Sequence, residues 1–511
     1  MAQDAHMVWE HIALAIALFV PGLVIYRILL HPLAKFPGPK LAAITRYYEA
    51  YYDVVCSGQY TFKIAEMHRL YENIRPIVRI SPYELHINDP TFFDQLYSHE
   101  KRLDKYDWAY DAFNVKTSTI CTTGHEAHRQ RRAAVGPFFS KANVANKQQV
   151  IYDTVDTLCN RIAECSGSSI MLGHAISAFT RDVAARFILG ECHNSLDHPD
   201  FDYKLSTFAQ SSGSVWILNK HLRWFNAMMG RLPLSWVEGI GDAGVKAFFA
   251  YLKDMRKTVT NIMSQPYLDL DSEKPRSLIH DILESNLPPI EKNPDRVFEE
   301  ISTIAGAAQD TTAHTMRLII FHIYSNPGIL SRLRNELAAT MQNEGWLSGN
   351  RPTISALEQQ KYLTAIITEG LRLSPAIGTR MARISPQDDL HYDNWVIPRG
   401  TPVGMTTLFM HMDPTMYPRP TEFIPDRWLD TDNLHRADKV FAPFSRGARI
   451  CLGMNLTWAE LYITIASLVN RFDFEFDGLT PRDFEFIRGQ FIIGTMDLGG
   501  MKTLTKEREI C

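Results

Sequence analysis

Cysteine is scarce in this chain, with seven among 511 residues, and the seven follow no repeated spacing. An odd, unpatterned set excludes the disulfide framework of small secreted proteins and indicates reduced thiols in a cytosol-facing protein. The chain also has no marked excess of one charge, since 53 lysines and arginines are matched by 57 aspartates and glutamates. This near balance gives no basis for nucleic acid as a partner. Internal repeats and low-complexity tracts are missing as well.

One long hydrophobic run is present near the N-terminus. Residues 12–30, IALAIALFVPGLVIYRILL, contain a single charge, Arg27. As a helix, this run extends about 28 Å at 1.5 Å per residue, which matches a bilayer core. A cleaved signal peptide is the alternative, but no lysine or arginine precedes the run and no small-x-small site follows it. Arg27, Lys35 and Lys40 on the C-terminal side predict a lumenal segment 1–11, a single-pass anchor and a cytoplasmic body.

Two proline-rich stretches suggest how the rest of the chain is organised. Residues 31–40, HPLAKFPGPK, contain three prolines, which cannot continue a helix, so we interpret them as a stiff strap between the anchor and a body over 41–511. The polar stretch 263–294 is either a surface loop system around a short helix or a domain boundary.

The body has mainly helical patterns. Asn293 can cap, and Pro294 can begin, a long apolar helix that Asn326-Pro327 ends. Further helices are predicted over 354–374 and 453–471, and strands over 76–80, 84–88, 395–398 and 491–494. The predicted fold class is mainly α with small β-sheets.

Short motifs elsewhere give weak signals. GIGDAG at 239–244 matches a dinucleotide-binding spacing, but neither a strand before it nor an acidic residue about twenty positions later supports that interpretation. CTTGHEAH at 121–128 lacks the second Cys/His pair that a zinc site requires. The sequon at Asn455 has no function in a cytoplasmic body.

The stretch FSRGARICLG, residues 444–453, gives one cysteine a distinctive setting. Cationic side chains, backbone N–H donors and a helix N-terminus all favour a thiolate, which is the form that binds metal. Arg446 and Arg449 lie nearby in sequence, Gly447 allows a tight turn, and a predicted helix follows Cys451 directly. Phe444 can exclude water. The alternative is a buried structural cysteine, the commoner role of a lone thiol.

Phe444, Gly447, Arg449, Cys451 and Gly453 resemble the haem-binding loop of the cytochrome P-450 monooxygenases. The resemblance implies the P-450 fold in a single large catalytic domain, haem b as cofactor, and Cys451 as the axial thiolate of the haem iron. A thiolate ligand increases electron density on iron and favours O–O cleavage. The resemblance covers nearly the whole chain, and HPLAKFPGPKLAAIT is similar to membrane-bound fungal members of secondary metabolism.

AGAAQDTT, residues 305–312, resembles the family's oxygen-binding stretch. Asp310 and Thr311 would then be the acid–alcohol pair that relays protons in a dry, apolar site. A threonine hydroxyl can also bond to the preceding helical turn. Ala308 stands where the family usually has glycine, a departure that narrows the oxygen groove without disabling it.

Three further sets of residues resemble family positions. Glu369 and Arg372 match the E-x-x-R motif, and Arg427 in PDRW matches the third member of its structural ion network. HRQRR, residues 128–132, is similar to the helix that contacts the haem propionates, with His128 where many members have tryptophan. Arg132, Arg383 and Arg449 would be the propionate partners, and a solvated basic patch is the alternative for HRQRR.

The resemblance implies an endoplasmic-reticulum-anchored monooxygenase that hydroxylates or epoxidises a lipophilic small molecule with O₂. Electrons would come from an NADPH–cytochrome P-450 reductase docked on a basic face near the cysteine loop. By analogy the substrate is a terpenoid or polyketide intermediate. Family analogy places substrate contacts in residues 101–119, 211–233, Ile377-Gly378-Thr379 and 491–496.

Two alternatives remain open at this point. One keeps the haem thiolate without oxygen insertion, as in a peroxide isomerase or dehydratase or a nitric oxide reductase. Asp310 and Thr311 argue against the isomerase, and the anchor argues against the reductase. The other is a non-catalytic, membrane-tethered carrier of lipophilic ligands, which predicts a protein without haem.

Overall fold

The computed structural model describes residues 2–71, 76–191, 193–224, 228, 243–264, 276–344, 351–430, 440–496 and 499–508. Helices dominate these residues and the strands are short, so the predicted class, mainly α with small β-sheets, is confirmed. In chain order the α-helices are α1 (Ala2–Ile25), α2 (Lys40–Ile44), α3 (Tyr47–Ala50), α4 (Tyr60–Tyr71), α5 (Phe93–Leu96), α6 (Asp107–Tyr110), α7 (His125–Val135), α8 (Lys141–Asn146), α9 (Gln148–Ala163), α10 (Leu172–Leu189), α11 (Tyr203–His221), α12 (Ala243–Ser264), α13 (Leu278–Glu284), α14 (Pro294–Tyr324), α15 (Pro327–Glu344), α16 (Ile354–Glu358), α17 (Lys361–Leu373), α18 (Thr407–His411) and α19 (Met454–Arg471).

The strands form small sheets beside the helices. They are β1 (Ile77–Arg79), β2 (Leu85–Ile87), β3 (Asp104–Lys105), β4 (Ser169–Met171), β5 (Arg383–Ile384), β6 (Leu390–Tyr392), β7 (Trp395–Ile397), β8 (Pro402–Gly404), β9 (Phe472–Phe476), β10 (Arg488–Gln490), β11 (Ile492–Gly494) and β12 (Lys502–Glu507). The largest sheet has the order β1-β2-β8-β5-β3, and β4-β12-β9 forms a second. Two antiparallel hairpins, β6–β7 and β10–β11, complete the set among the described residues.

The N-terminal hydrophobic run forms a helix that, among the described residues, contacts the body only near its C-terminal end, where Arg27 donates to Ile44 and Tyr83. Residues His6–Leu30 form the one described helix that is long and apolar enough to span a membrane, and its apolar window is not buried in the protein. A π-helical turn at Tyr26–Leu30 ends it. This helix is a candidate membrane anchor.

The proline-rich strap packs against the body along its length. Leu33 and Phe36 are buried, and the Phe36 ring stacks on Trp395 with centroids 4.7 Å apart. The N–H of Arg79 in β1 donates to the carbonyl of Pro37 at 2.7 Å. The strap is therefore packed on the surface of the sheet that contains β1.

The long helix α14 runs through the core, as its apolar sequence predicts. Asn293 caps it by accepting a hydrogen bond from the N–H of Arg296 at 3.0 Å, and Ser325 follows its last residue, just before Asn326-Pro327. The largest buried apolar cluster contains residues of α9, α10, α14, α17 and α19. Gly370 of α17 allows its helix to approach α14 closely, because a Cβ at this position would lie 2.2 Å from Ile319 Cγ1. This packing fixes α14 relative to α17 and α19.

One predicted helix is divided in the structure. The prediction of a single helix over 354–374 is wrong, because α16 ends at Glu358 and α17 begins at Lys361, after Gln360 in an extended conformation. The first N–H groups of α17 are capped from outside, since the Glu336 carboxylate accepts from the N–H groups of Tyr362 and Leu363 at 2.8 and 2.9 Å. The helix predicted over 453–471 is confirmed as α19, and the predicted strands correspond to β1, β2, β7 and β11.

Candidate active site

The loop before α19 presents the Cys451 sulfur at the start of that helix. Gly447 has a left-handed φ of 73°, and a Cβ there would lie 2.2 Å from the carbonyl oxygen of Tyr97. Only glycine fits this position. The N–H of Cys451 donates to the carbonyl of Phe444 at 3.0 Å, which closes the loop, and Gly453 is the N-cap residue of α19.

The electrostatics around the sulfur differ from the sequence-based expectation. Burial raises the pKa of the Cys451 thiol, while the N–H groups of Gly453 and Met454 and the Arg132 guanidinium act to lower it. Arg446 instead pairs with Asp94 at 2.7 Å, and Arg449 donates to carbonyl groups. The Cys451 residue is nevertheless exposed to the space beside the loop, so a ligand can reach the sulfur. A bound metal cation removes the thiol proton outright.

Helix α14 brings Asp310 and Thr311 to one part of the core. Gly306 and Ala307 are exposed in the middle of this helix, whose other residues after Asp295 are buried or half-buried, so an open space lies against it. The Thr311 hydroxyl donates to the carbonyl of Ala307 at 2.9 Å, the bond to the preceding turn that the sequence predicts. Burial raises the pKa of Asp310 to about 6, and the cations Arg317 and Arg181 act in the opposite direction. Asp310 can therefore exchange a proton near neutral pH.

Several cations converge near the cysteine loop without carboxylate partners. None of the ion pairs among the described residues includes Arg132, Arg383, Arg449 or Lys105. Arg449 donates to the carbonyl of Thr122, and its buried Nε has no partner. Burial, followed by the cations Arg449, Lys105 and Arg132, lowers the pKa of His128 to about 2, so its ring is neutral. Such a cluster is suited to a ligand that carries more than one negative charge.

Lys105 is the member of this cluster that sequence reasoning missed. It lies in β3, directly opposite Arg383 of β5. Its ammonium is buried, donates to the carbonyl of Ile120 at 2.5 Å and lies 4.1 Å from the Tyr110 ring centroid. Burial and the cations Arg383 and Arg449 hold the pKa of Lys105 well below its usual range. Only the strand pairing brings Lys105 to Arg383, and no motif around residue 105 indicates that pairing.

The basic segment 128–132 divides between the interior and the surface. Arg129 is exposed and pairs with Glu126 at 2.6 Å, and Arg131 pairs with Glu291 at 2.7 Å. His128 and Arg132, four residues apart on α7, are instead turned inward. The solvated-patch alternative therefore holds for Arg129 alone.

Glu369 of α17 is the centre of a buried network. Its carboxylate accepts hydrogen bonds from Arg372 at 2.8 and 2.9 Å and from Arg427 at 3.0 Å, as the motif predicts. The indole N–H of Trp428 and the N–H of Ile424 also donate to it, each at 2.9 Å. Although burial acts to raise the pKa of Glu369, these donors hold it below its ordinary value. The network ties α17 to the segment 424–428.

His411 links this network to the cysteine loop, a connection that the sequence does not reveal. Its Nε2 accepts from the N–H of Ala442, two residues before Phe444, at 3.0 Å. Its Nδ1–H therefore donates to the carbonyl of Arg372, also at 3.0 Å. Burial lowers the pKa of His411 to about 3, which keeps the ring in this neutral tautomer.

The four segments predicted to contact substrate meet in one apolar cluster. Its buried members are Tyr110, Ala112, Trp216, Ile217 and Phe491, with Ala109, Ile377 and Ile492 packed against them. The Phe491 ring lies 4.7 Å from Phe113 and 5.5 Å from Trp216, measured between centroids. Of the predicted segment 211–233, residues 225–227 and 229–233 lie outside the described residues.

The motifs dismissed on sequence grounds add nothing to the site. Residues 239–242 of GIGDAG lie outside the described residues. Among the described residues, the groups with metal-ligand spacing lie elsewhere than residues 121–128.

Comparisons with known proteins agree with this geometry. The cytochrome P-450 family matches residues 53–495. Cytochrome P-450 monooxygenase MO6277 of Ascocoryne sarcoides is 34% identical over 507 residues, which is 96% of this chain and 97% of the relative. The chain therefore belongs to the cytochrome P-450 family, and it is a haem-thiolate monooxygenase and an oxidoreductase.

More specific relatives and a solved structure were also found. Tryptophan 6-hydroxylase fscE of Fusarium equiseti is 38% identical over 458 residues, covering 89% of this chain and 88% of the relative. N-acetyltryptophan 6-hydroxylase ivoC of Emericella nidulans is 34% identical and covers 94% of each chain. A crystal structure of a cytochrome P-450, CYP102L1, matches with a TM-score of 0.68 at 15% identity, over 87% of this chain and 94% of that one. That structure confirms the fold.

The residues around the site fit a haem. A sulfur at a helix N-terminus is a suitable iron ligand, and the unpaired cations with the unpartnered Arg449 Nε suit the two carboxylates of a porphyrin.

Proposed function

We propose that this protein is a membrane-anchored monooxygenase that binds haem b through Cys451. The single observation that carries the proposal is the placement of this sulfur at the N-terminus of α19, beside a cluster of cations that have no carboxylate partners. Arg132, Arg383, Arg449 and the neutral His128 would hold the propionates, and Phe444 and Gly447 would shape the loop around the sulfur. When bound, the haem iron activates O₂ and oxidises the substrate.

Asp310 and Thr311 are proposed to deliver protons to the oxygen being reduced. Because the Thr311 hydroxyl proton is used in the bond to Ala307, the oxygen of this hydroxyl is left to accept a hydrogen bond. Asp310, half-buried and with a raised pKa, can supply a proton to that position near pH 7. Exclusion of water by the apolar core keeps other protons away. Glu369, Arg372 and Arg427 would hold the fold around the site without taking part in chemistry.

The proposed substrate is a lipophilic small molecule, hydroxylated or epoxidised at an unactivated carbon. The apolar and aromatic cluster around Phe491 supports this class. A terpenoid or polyketide intermediate is our first candidate, and two relatives named for tryptophan hydroxylation make an indole compound the second.

We further propose the endoplasmic reticulum membrane as the location, with residues 1–11 in the lumen, 12–30 in the bilayer and 41–511 in the cytoplasm. Electrons would come from an NADPH–cytochrome P-450 reductase that docks near α7 and the cysteine loop. The exposed Arg129 and Lys141 and the half-buried Arg446 each pair with a carboxylate there, so a docking partner has to compete with these pairs.

The first experiment is an absorption spectrum of the reduced, carbon-monoxide-bound full chain in membranes. A thiolate-ligated haem is expected, and a protein without haem would instead indicate the carrier. The second is incubation of microsomes that contain this protein and a reductase with candidate terpenoids, polyketides and indoles, followed by mass spectrometry. Turnover that continues without O₂ or without the reductase would favour the isomerase or dehydratase instead.

A further inference from the structure

Asp310 alone cannot supply all the protons that the proposed reaction consumes. Insertion of one oxygen atom into a substrate and reduction of the other atom to water take up two electrons and two protons for each molecule of O₂. The reductase supplies the electrons, but one carboxyl group holds only one proton. Asp310 has to be protonated again within each turnover, so the structure has to contain a group that returns a proton to it.

His314 lies one helical turn after Asp310 on α14. Side chains four residues apart are neighbours on a helix surface, with Cβ atoms about 5–6 Å apart. Because side chains lean towards the helix N-terminus, the ring of His314 lies over the turn that contains Asp310 and Thr311. These three residues follow Gly306 and Ala307 at helical spacing, so they share the face that borders the open space.

The imidazole of His314 has no other task in the structure. Its Nε2 atom is buried and has no hydrogen-bond partner among the described residues, although a buried polar atom without a partner costs stability. The residue as a whole is half-buried. In a neutral imidazole one ring nitrogen donates and the other accepts, so the ring can release a proton on one side and take one up on the other.

The charges around His314 favour transfer of a proton to Asp310. Burial, followed by Arg317, lowers the pKa of His314 to about 3, whereas burial raises the pKa of Asp310 to about 6. The ring is therefore neutral at rest, and the Asp310 carboxylate binds a proton more tightly than the ring does. Arg317 and Arg181, the two cations that act on Asp310, cannot replace His314, because a guanidinium group does not give up its proton.

Polar side chains lead from this face of α14 to the protein surface. Arg317 donates to the hydroxyl of Ser177 in α10 at 3.0 Å. Arg181 is four residues further along α10, which makes it a neighbour of Ser177. Its guanidinium lies 4.0 Å from the carboxylate of Asp202, whose side chain is 21% exposed. We call these four residues the polar row, and water held along it can supply protons from the solvent.

We propose that His314 returns a proton to Asp310 after Asp310 has given its first proton to the oxygen being reduced. One ring nitrogen releases its proton to the Asp310 carboxylate, and the other takes a proton from water in the polar row. The ring ends as the other neutral tautomer, so protons and charge balance. His314 acts through Asp310 and is a positioning residue. The inference rests on the proposed function, because it extends the relay formed by Asp310 and Thr311.

The test observes the two protons separately in the haem-loaded full chain and needs no substrate. The reduced, O₂-bound protein is frozen in buffer at about pH 5.5, where Asp310 starts protonated. Irradiation with γ-rays at liquid-nitrogen temperature then adds one electron, and electron paramagnetic resonance spectra follow the sample as it is warmed in steps. The first proton changes the signal of the oxygen adduct, and the second proton removes that signal.

Replacing the ring should delay the second proton alone. In His314→Phe the first change should keep its wild-type rate, because the proton on Asp310 is already present. Loss of the signal should be about a hundredfold slower, since positioned acid–base groups contribute about 10²–10⁴-fold. His322→Phe is the matched control on the same helix, at a ring that stacks on Phe423, and should leave both rates unchanged. Wild-type loss of the signal in His314→Phe would overturn the proposal.

His314→Gln separates proton transfer from packing. Glutamine is polar and can hydrogen-bond, but it does not take up and release protons, so His314→Gln should also be slow in the second step. A wild-type second step in His314→Gln would mean that the ring only fills space, and this outcome would overturn the proposal too. The same variant decides the question if His314→Phe does not bind haem.

Asp310→Asn distinguishes failure of this inference from failure of the proposed function. The variant should delay the first change of the signal, because the first donor is missing. A first change at the wild-type rate in Asp310→Asn, or a wild-type protein without haem, would overturn the proposed function. A delayed first change in Asp310→Asn, together with an unchanged second step in both His314 variants, would overturn only the return of protons by His314.

Discussion

Arg372 and Glu369 are joined by two hydrogen bonds, of 2.8 and 2.9 Å, at a place where neither side chain is exposed. Removing either partner leaves an unpaired charge in the core. We therefore expect Glu369→Gln and Arg372→Met to lower the free energy of unfolding by about 3–5 kcal/mol. Chemical denaturation of the detergent-solubilised full chain measures this change.

A matched control comes from an exposed ion pair. Lys502 and Asp477 are 2.8 Å apart, and both side chains are more than half exposed. Lys502→Met should cost less than about 1 kcal/mol. Equal losses for the buried and exposed pairs would refute the structural role of Glu369.

Replacing the sulfur of Cys451 tests the metal ligand directly. Cys451→Ser should lose the thiolate-type spectrum of the reduced, carbon-monoxide-bound protein and its turnover, because a hydroxyl is a poor substitute for a thiolate on iron. Cys56→Ser, at a half-buried thiol, is the control and should keep both. An unchanged spectrum in Cys451→Ser would exclude this cysteine as the ligand.

Thr311→Ala tests proton delivery. Because the hydroxyl is lost while the helix remains, the variant should keep haem but consume NADPH without a matching amount of product, as measured by the ratio of product to NADPH. Thr303→Ala on the same helix removes a comparable hydroxyl, which donates to the carbonyl of Glu299 at 2.6 Å, and should leave that ratio unchanged. Normal coupling in Thr311→Ala would argue against the relay.

Lys105→Met tests whether the buried ammonium helps to neutralise the haem carboxylates. We expect faster loss of haem to apomyoglobin, because a charge-assisted hydrogen bond disappears from a buried site. Lys101→Met, at an exposed lysine four residues earlier, should release haem at the wild-type rate. If Lys105→Met holds haem as firmly as the wild type, Lys105 has no part in binding it.

The neutral ring of His411 predicts acid sensitivity. The pKa of His411 is about 3 in the folded protein and about 6.5 when unfolded, so the unfolded chain binds the proton first as the pH falls. The stabilisation from this residue is complete above pH 6.5 and is lost as the pH falls towards 3, by about 2 kcal/mol at pH 5.

The measurement is the free energy of unfolding between pH 7.5 and 5 for the wild type and for His411→Gln. The variant should be less stable overall and should show a smaller loss on acidification. His391→Gln, at an exposed histidine, should show the wild-type loss. A pH dependence that does not change in His411→Gln would mean that this ring does not stay neutral.

Most of the helices could be predicted from the sequence, and the loop around Cys451 could be proposed from it, because the signals for both are local. The cap at Asn293, the proline at 294 and the apolar periodicity define α14, and the long pattern around Cys451 defines its loop. The break between α16 and α17 escaped prediction because Glu336, far away in sequence, caps α17. Lys105 and His411 were missed for the same reason, since their partners Arg383 and Arg372 come near only through strand pairing and tertiary packing.

Lys220 shows most clearly which contacts cannot be predicted from the sequence. Its neighbours in sequence give no indication of Glu49 and Asp53, more than 160 positions earlier. These buried pairs of Lys220 exist only because α11 crosses the segment that contains α3, and no periodicity in either stretch encodes this crossing.

The packed strap has a practical consequence for soluble expression. Arg27, inside the predicted bilayer segment, donates to the carbonyl of Ile44 and to the hydroxyl of Tyr83, and Leu33 and Phe36 are inserted beside Trp395. Removing residues 1–40 would expose the apolar surface that Leu33 and Phe36 cover, and this would promote aggregation. A truncated protein that begins at Arg27 would keep this apolar surface covered, so truncations for crystallisation should begin there.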